Sequence, residues 1–108
     1  MNAAAEIRSK SRAETVQKIV TPRGIEVWLV EDYAVPLVAV DFAFKGGSTQ
    51  DPAGLSGTAT VLAGLLDEGA GTLDADAFHR ALDDKAIELS FHTGQGNFHG
   101  EMKTLSRN

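Results

Sequence analysis

The sequence predicts an α+β fold in which two helices pack on one side of a mostly antiparallel sheet. Three observations support this class. The first half of the chain holds short apolar runs that are typical of strands. The middle holds two segments whose apolar residues recur at helical spacing, and the end alternates around a Gly-rich turn, as a β-hairpin does.

Composition excludes several classes of protein. The chain has 108 residues, of which 43% are hydrophobic and 23% charged, values typical of one small globular domain. A net charge of −5 argues against nucleic acid as a partner, and no apolar run is long enough to form a membrane span. The absence of Cys excludes disulfides and thiolate metal sites, and it suits the periplasm and the cytoplasm equally.

The first third of the chain predicts an arm and three strands. Residues 1–14 are rich in Ala, Ser and charge, and we expect a flexible arm without the apolar core of a signal peptide. Residues 16–20 and 25–31 predict a hairpin. Residues 35–44 are nearly all apolar and predict a strand covered on both faces, with the Pro36 end unpaired or at an edge.

Asp41 is the unusual member of the third strand, a carboxylate within an apolar run. We expect it to accept hydrogen bonds at a strand end or to reach the rim. Residues 45–48 then form a loop. A Gly-Gly-Ser loop before a helix can cradle a phosphate, but its spacing fits neither phosphate-binding fingerprint, so a plain turn is favoured.

Residues 51–68 predict the helix around which the chain is organised. Asp51 is a good N-cap, and Pro52 suits the first helical position. Glycines within the helix indicate that a neighbour packs close to its backbone. The apolar stripe consists of Leu55, Ala59, Leu62 and Leu66, and the glycines are Gly54, Gly57 and Gly64.

Residues 73–85 predict a second helix with Asp74 and Asp76 in its first turn. His79 lies between Asp76 and Asp83 on the polar side, where a surface ion pair is favoured over a metal site. The buried stripe is predicted to be Leu73, Ala77, Phe78, Ala81 and Leu82.

Residues 87–92 and 97–104 predict a hairpin closed by the four-residue loop 93–96. That loop places Phe91 opposite Phe98, with two further apolar pairs, Leu89 with Gly100 and Ile87 with Met102. The other face carries two imidazoles and two carboxylates, which are standard zinc ligands. A solvated face, or one that lines a chamber, is favoured over a metal site. The polar set is Glu88, Ser90, His92, Asn97, His99 and Glu101.

Residues 42–84 resemble the opening of a pitrilysin-type, insulinase-like (M16) metallopeptidase domain. In active members of that family, D-x-x-G-L leads into an H-x-x-E-H helix, whose two His bind zinc and whose Glu acts as general base. Asp51, Gly54 and Leu55 match the first part of this motif.

The resemblance fails at the positions that define the activity. Gly57 and Val61 stand at the two His positions and Thr60 at the Glu position, and none can bind zinc or act as the base. The third zinc ligand of the family would lie beyond residue 108. Since the resemblance covers residues 16–105, we expect residues 15–108 to be the N-terminal part of a longer M16-like domain.

The resemblance implies a non-catalytic subunit that pairs with a zinc-bearing homologue, or with a second copy, around a chamber that holds an extended peptide. It implies no cofactor in this chain, with zinc only in the partner. Two alternatives stay open. One is a zinc metallopeptidase with an unorthodox site, His92 and His99 with Glu88 or Glu101. The other is a structural assembly subunit, like the family-related core proteins of respiratory complexes.

Overall fold

The computed structural model describes residues 15–108, so the predicted arm at residues 1–14 lies outside the described residues. The described part has five strands and two helices, and the α+β class is confirmed. The chain divides between Val35 and Pro36 into two compact units. The elements are β1 (Gln17–Val20), β2 (Glu26–Leu29), β3 (Leu37–Lys45), a 3-10 turn (Ser48–Gln50), α1 (Thr58–Leu65), α2 (Ala75–Asp84), β4 (Glu88–Thr93) and β5 (Asn97–Leu105).

The first unit contains the predicted hairpin, in which β1 and β2 pair antiparallel. Thr21 closes its turn, since its backbone N–H donates to the Ile25 carbonyl at 2.9 Å and its Oγ1 accepts from the Ile25 N–H at 3.1 Å. Glu26 lies at the centre of the side-chain contacts. Its carboxylate accepts from Trp28 Nε1 at 2.7 Å and pairs with Lys18 Nζ at 3.0 Å.

The second unit contains a three-stranded antiparallel sheet in the order β3-β5-β4. β3 pairs with β5 along its whole length, from Leu37 opposite Leu105 to Lys45 opposite Asn97. Within the described residues β3 is therefore an edge strand, as the proline predicts. The prediction that both faces of this strand are covered is wrong, because the helices contact β4 at the far edge and every residue of β3 is exposed.

The predicted register of the second hairpin is wrong by two residues. Gly94 N–H donates to the Asn97 carbonyl at 2.9 Å, which leaves a loop of only residues 95 and 96. Phe91 consequently lies opposite Gly100, and Leu89 lies opposite Met102. A slip of two keeps every side chain on its predicted face, because side chains along a strand alternate with period two.

The apolar face of this sheet carries an aromatic cluster. Phe42 makes edge contacts with Phe44 and Phe91, at centroid distances of 5.8 and 6.4 Å, and Phe91 lies 6.5 Å from Phe98. α1 borders the same face, since a cleft of about 480 Å³ is lined both by Phe44 and Phe98 and by side chains of α1 and the residue after it. The side chains on the α1 side are Ala59, Leu62 and Leu66.

α1 begins seven residues later than the sequence predicts, at Thr58 rather than at Asp51. Gly54 and Gly57 have φ angles of 79° and 96°, which lie in the left-handed region that a right-handed helix cannot include. The expected close neighbour is absent too, because a Cβ built on Gly64 meets nothing within 4 Å among the described residues. In residues 15–108, no helix has the length and apolar character that crossing a membrane requires.

α2 begins one residue after Asp74, which is its N-cap and accepts from the Ala77 N–H at 2.9 Å. Four of the five residues of the predicted stripe are partly buried, and Leu73 is exposed. The surface ion pair predicted for His79 is wrong. Its Nε2–H instead donates to the carbonyl oxygen of Asp67 at 2.8 Å, which ties α2 to the loop after α1.

Candidate functional site

The start of α1 is held by a side chain that lies well upstream of it. Asp51 Oδ2 accepts from the Gly57 N–H at 2.7 Å, and Oδ1 accepts from the Ala59 N–H at 2.9 Å. These are donors that the first turn of a helix leaves unsatisfied. Asp51 therefore has the predicted capping role, although it reaches the helix across the turns of residues 52–56 rather than from the N-cap position.

The three residues that the resemblance aligns with the zinc motif lie together at this helix start. Gly57 is the N-cap, and Thr60 and Val61 lie in the first turn, both exposed. Metal ions in proteins are held by imidazole, carboxylate or thiolate groups, and these three side chains offer none. A threonine hydroxyl also cannot replace the carboxylate base. The side chains at the helix start therefore offer neither metal ligands nor a general base.

Three backbone donors of the Gly-Gly-Ser loop and the residue after it are used within the fold and are not directed at a ligand. Gly46 N–H donates to the Gly96 carbonyl at 2.8 Å, Ser48 N–H to Gly94 at 3.0 Å, and Thr49 N–H to Gln95 at 3.1 Å. The loop is thus docked on the tip of the β4–β5 hairpin. The plain-turn interpretation is confirmed.

The polar face of the sheet brings the two strand histidines together. His92 lies directly opposite His99, and their rings are stacked with centroids 5.1 Å apart and planes 7° from parallel. The sequence placed both residues on this face, but its four-residue loop did not pair them. Neither residue of the observed two-residue loop, Gln95 or Gly96, has the positive φ for which glycine is favoured in tight hairpins, so the turn residues gave no signal for the shorter loop.

The carboxylates on the same face differ in whether they form an ion pair. Glu88 forms an ion pair with Lys103, 3.1 Å from its Nζ. Asp41 lies in the middle of β3, directly opposite Glu101, and not at a strand end. It is exposed on this edge strand, which agrees with the other expectation, that it reaches the rim. Ion pairs within the described residues involve neither Asp41 nor Glu101. A concavity of about 610 Å³ lies beside them.

This face does not assemble the predicted zinc site. Within residues 15–108, no group of three or more His, Asp and Glu side chains lies close enough together to hold a metal ion. Glu88 is paired with Lys103, and Glu101 does not lie close enough to the two imidazoles to complete a group of three. A zinc peptidase needs three protein ligands, and the described residues provide only two that are adjacent.

One side of α1 exposes apolar side chains near the helix start. Val61 and Leu65 are 61% and 59% exposed, and Leu62 is also exposed. Ala63 is the buried hydrophobic residue of the described part of the chain. A helix that is apolar nearly all round is normally buried within a larger assembly. This surface is therefore a candidate interface.

Comparison with known proteins identifies the fold. No family model matches the chain, and no curated protein matches it. The chain is similar to the crystal structure of a peptidase M16 inactive domain from Pseudomonas fluorescens, with a TM-score of 0.77 and 24% sequence identity. The match covers 84% of this chain and 22% of that chain, so this chain spans about a fifth of its length. The likeness shows a shared fold and confirms the predicted M16-like architecture.

Proposed function

We propose that the chain is part of a non-catalytic peptidase-like subunit that pairs with a zinc-bearing homologue around a peptide-degrading chamber. One observation carries this function. An M16-like fold presents, at the start of α1, Gly57, Thr60 and Val61 in place of two ligands and a base. These side chains cannot activate a water molecule, so the zinc would reside in the partner alone.

The exposed apolar side of α1 supports association with further polypeptide. Three side chains of this helix are about half exposed within the described residues, those of Val61, Leu62 and Leu65. Full burial of an exposed Val or Leu is favourable by about 1.5 to 3 kcal/mol, and about half of that remains to be gained at each of these half-exposed side chains. A partner subunit, or a further part of a longer chain, gains this stabilisation by covering the helix.

The outer edge of β3 supports a role in holding peptide. β3 is nine residues long and is paired only with β5 in the described part of the sheet. Its outer N–H and C=O groups can accept an extended peptide as a further strand, through main-chain hydrogen bonds that require no particular peptide sequence. The subunit would thus grip substrate without cleaving it.

The test is reconstitution with an M16-type subunit that carries H-x-x-E-H. We expect size-exclusion chromatography with light scattering to show a stable heterodimer, and hydrolysis of a fluorogenic peptide to rise above that of the zinc-bearing subunit alone. Metal analysis of the separated subunits should find the zinc in that subunit. No complex, together with unchanged hydrolysis, would contradict the proposal.

Two other outcomes point to the alternatives. Stoichiometric zinc retained by this chain after mild chelation, together with peptide cleavage by the chain alone, would favour an unorthodox metallopeptidase. Co-purification in a large assembly without peptidase activity would favour a structural module. A self-associated chain that grips peptide without cleaving it would place a second copy in the partner's role.

A further inference from the structure

We propose that His92 and His99 form a two-imidazole binding site for a divalent transition-metal ion, on the polar face of the three-stranded sheet. The site is separate from the helix start and does not depend on the proposed subunit role. The two residues belong to neighbouring strands and lie directly opposite each other, so the hairpin itself brings their side chains together.

The spacing of the rings matches a shared ion. A metal–nitrogen bond is about 2.0 Å long, and the centre of an imidazole ring lies about 1.1 Å beyond the nitrogen. Two imidazoles bound to one ion therefore have ring centres about 4.4 Å apart when the nitrogen–metal–nitrogen angle is a right angle, and about 5.1 Å apart when it is tetrahedral. The observed centroids are 5.1 Å apart. Because the ring planes are nearly parallel, each ring must rotate about its Cβ–Cγ bond to direct a nitrogen at the ion. The strands do not need to move.

Two carboxylates on this face, Asp41 and Glu101, are available to attract a cation, and Lys45 lies on the same face at the far end of β3. Asp41 and Glu101 lie directly opposite each other, and like charges in that arrangement repel. Glu101 is two residues from His99 on β5, so both side chains project from the same face. A bound cation relieves this repulsion, whereas Glu88 is already neutralised by Lys103.

The ligand set selects the class of ion. Two imidazoles with no third protein ligand among the described residues do not make a structural zinc site, which needs four ligands. Cu²⁺ and Ni²⁺ favour nitrogen ligands and fill their other positions with water, and Cu²⁺ binds most tightly in the divalent series. We therefore assign the site to an exchangeable ion of the Cu²⁺ class.

The test uses the untagged 108-residue chain, titrated with Cu²⁺ and followed by electron paramagnetic resonance. We expect a spectrum with two coupled imidazole nitrogens. His92→Gln and His99→Gln should each weaken binding at least about tenfold. His79→Gln is the matched control and should bind Cu²⁺ as tightly as the parent. His79 lies on α2, and its imidazole is hydrogen-bonded to the Asp67 carbonyl oxygen. The double variant measures background binding elsewhere on the chain.

A second measurement avoids substitutions altogether. Cu²⁺ should protect His92 and His99, but not His79, from carbethoxylation of the folded parent chain, as read by mass spectrometry. The proposal is overturned if either strand variant, folded by circular dichroism, binds Cu²⁺ like the parent. It is equally overturned if all three histidines of the parent are modified alike with and without the ion.

Discussion

Phe42 lies directly over Gly100 of the neighbouring strand. A Cβ built on Gly100 would stand 2.2 Å from Cζ of the Phe42 ring, closer than side chains approach. The glycine therefore makes room for the ring, and the ring in turn makes edge contacts with Phe44 and Phe91. The order of the aromatic cluster depends on the absence of one methyl group.

Replacement of that glycine should destabilise the sheet. Gly100→Ala forces the Phe42 ring out of its position, and overpacking of this kind costs about 1 to 3 kcal/mol of the free energy of unfolding. Urea denaturation measures the change. Gly96→Ala is the control, because a Cβ there meets nothing within 4 Å. Equal effects of the two substitutions would show that the ring contact does not matter.

Gly64→Ala should stabilise the chain. Gly64 lies inside α1, where a Cβ meets nothing, and alanine is favoured over glycine in a helix interior by about 0.5 to 1 kcal/mol. Gly57→Ala should do the opposite, since its φ of 96° strains any residue with a Cβ. Urea denaturation of both variants is the measurement. A loss of stability in Gly64→Ala would reveal a close neighbour of the helix.

Asp51→Ala should weaken the start of α1. It removes the acceptors of the Gly57 and Ala59 N–H groups, and loss of a helix-capping side chain costs about 0.5 to 2 kcal/mol. Asp51→Asn keeps one acceptor oxygen and should lose less. Amide hydrogen exchange of residues 57–59 should accelerate in the order parent, Asn variant, Ala variant. Unchanged exchange in the Ala variant would contradict the capping role.

The β1–β2 hairpin should respond to acid. The hydrogen bond from Trp28, followed by that from Lys18, lowers the pKa of Glu26 below its usual value of 4.5. Since the pKa of Glu26 is lower in the folded state, its carboxylate stabilises the fold at pH values above its usual pKa. This stabilisation is lost as the pH falls through the lowered pKa. The fluorescence of Trp28, the single tryptophan, should therefore change with a midpoint below 4.5.

Two variants test the cause of that transition. Glu26→Gln should abolish it, because no carboxylate is left to titrate. Lys18→Met removes the ion pair of 3.0 Å but keeps the Trp28 bond, so its midpoint should rise only part of the way to the usual value. A parent midpoint at or above 4.5 would show that neither contact perturbs Glu26.

Restoring the motif residues should not restore activity. The combined substitution Gly57→His, Thr60→Glu and Val61→His supplies two ligands, and zinc needs a third protein ligand at a catalytic site. The φ of 96° at residue 57 also disfavours any side chain there. We expect less than stoichiometric zinc after dialysis against a mild chelator, and no peptide hydrolysis. Tight zinc with hydrolysis would place the third ligand within this chain.

Much of the fold follows from local patterns. The alternation in β1, β2, β4 and β5 and the spacing of apolar residues in α2 are local patterns, and the structure contains each of these elements. Every residue of β1 and β2 is nevertheless exposed. The sequence predicts α1 too long, because Asp51 and Pro52 are typical of a helix start, whereas Gly54 and Gly57 take left-handed backbone angles. Propensity alone does not show which glycines adopt positive φ.

The candidate site was harder to predict, because it depends on pairing between strands. Asp41 joins Glu101 only through the β3–β5 ladder, which brings together residues far apart in sequence. The His92–His99 pair depends on a loop of two residues rather than four. Both depend on register, and a slip of two residues leaves the pattern of apolar and polar faces unchanged.

Asp51 positions the start of α1 without using the side chains that would carry chemistry there. Its carboxylate accepts hydrogen bonds from backbone amides that lie six and eight residues along the chain. These contacts do not involve the side chains of Thr60 and Val61. Substitutions at these two positions therefore change which reactive groups the helix start presents and leave the contacts of Asp51 in place.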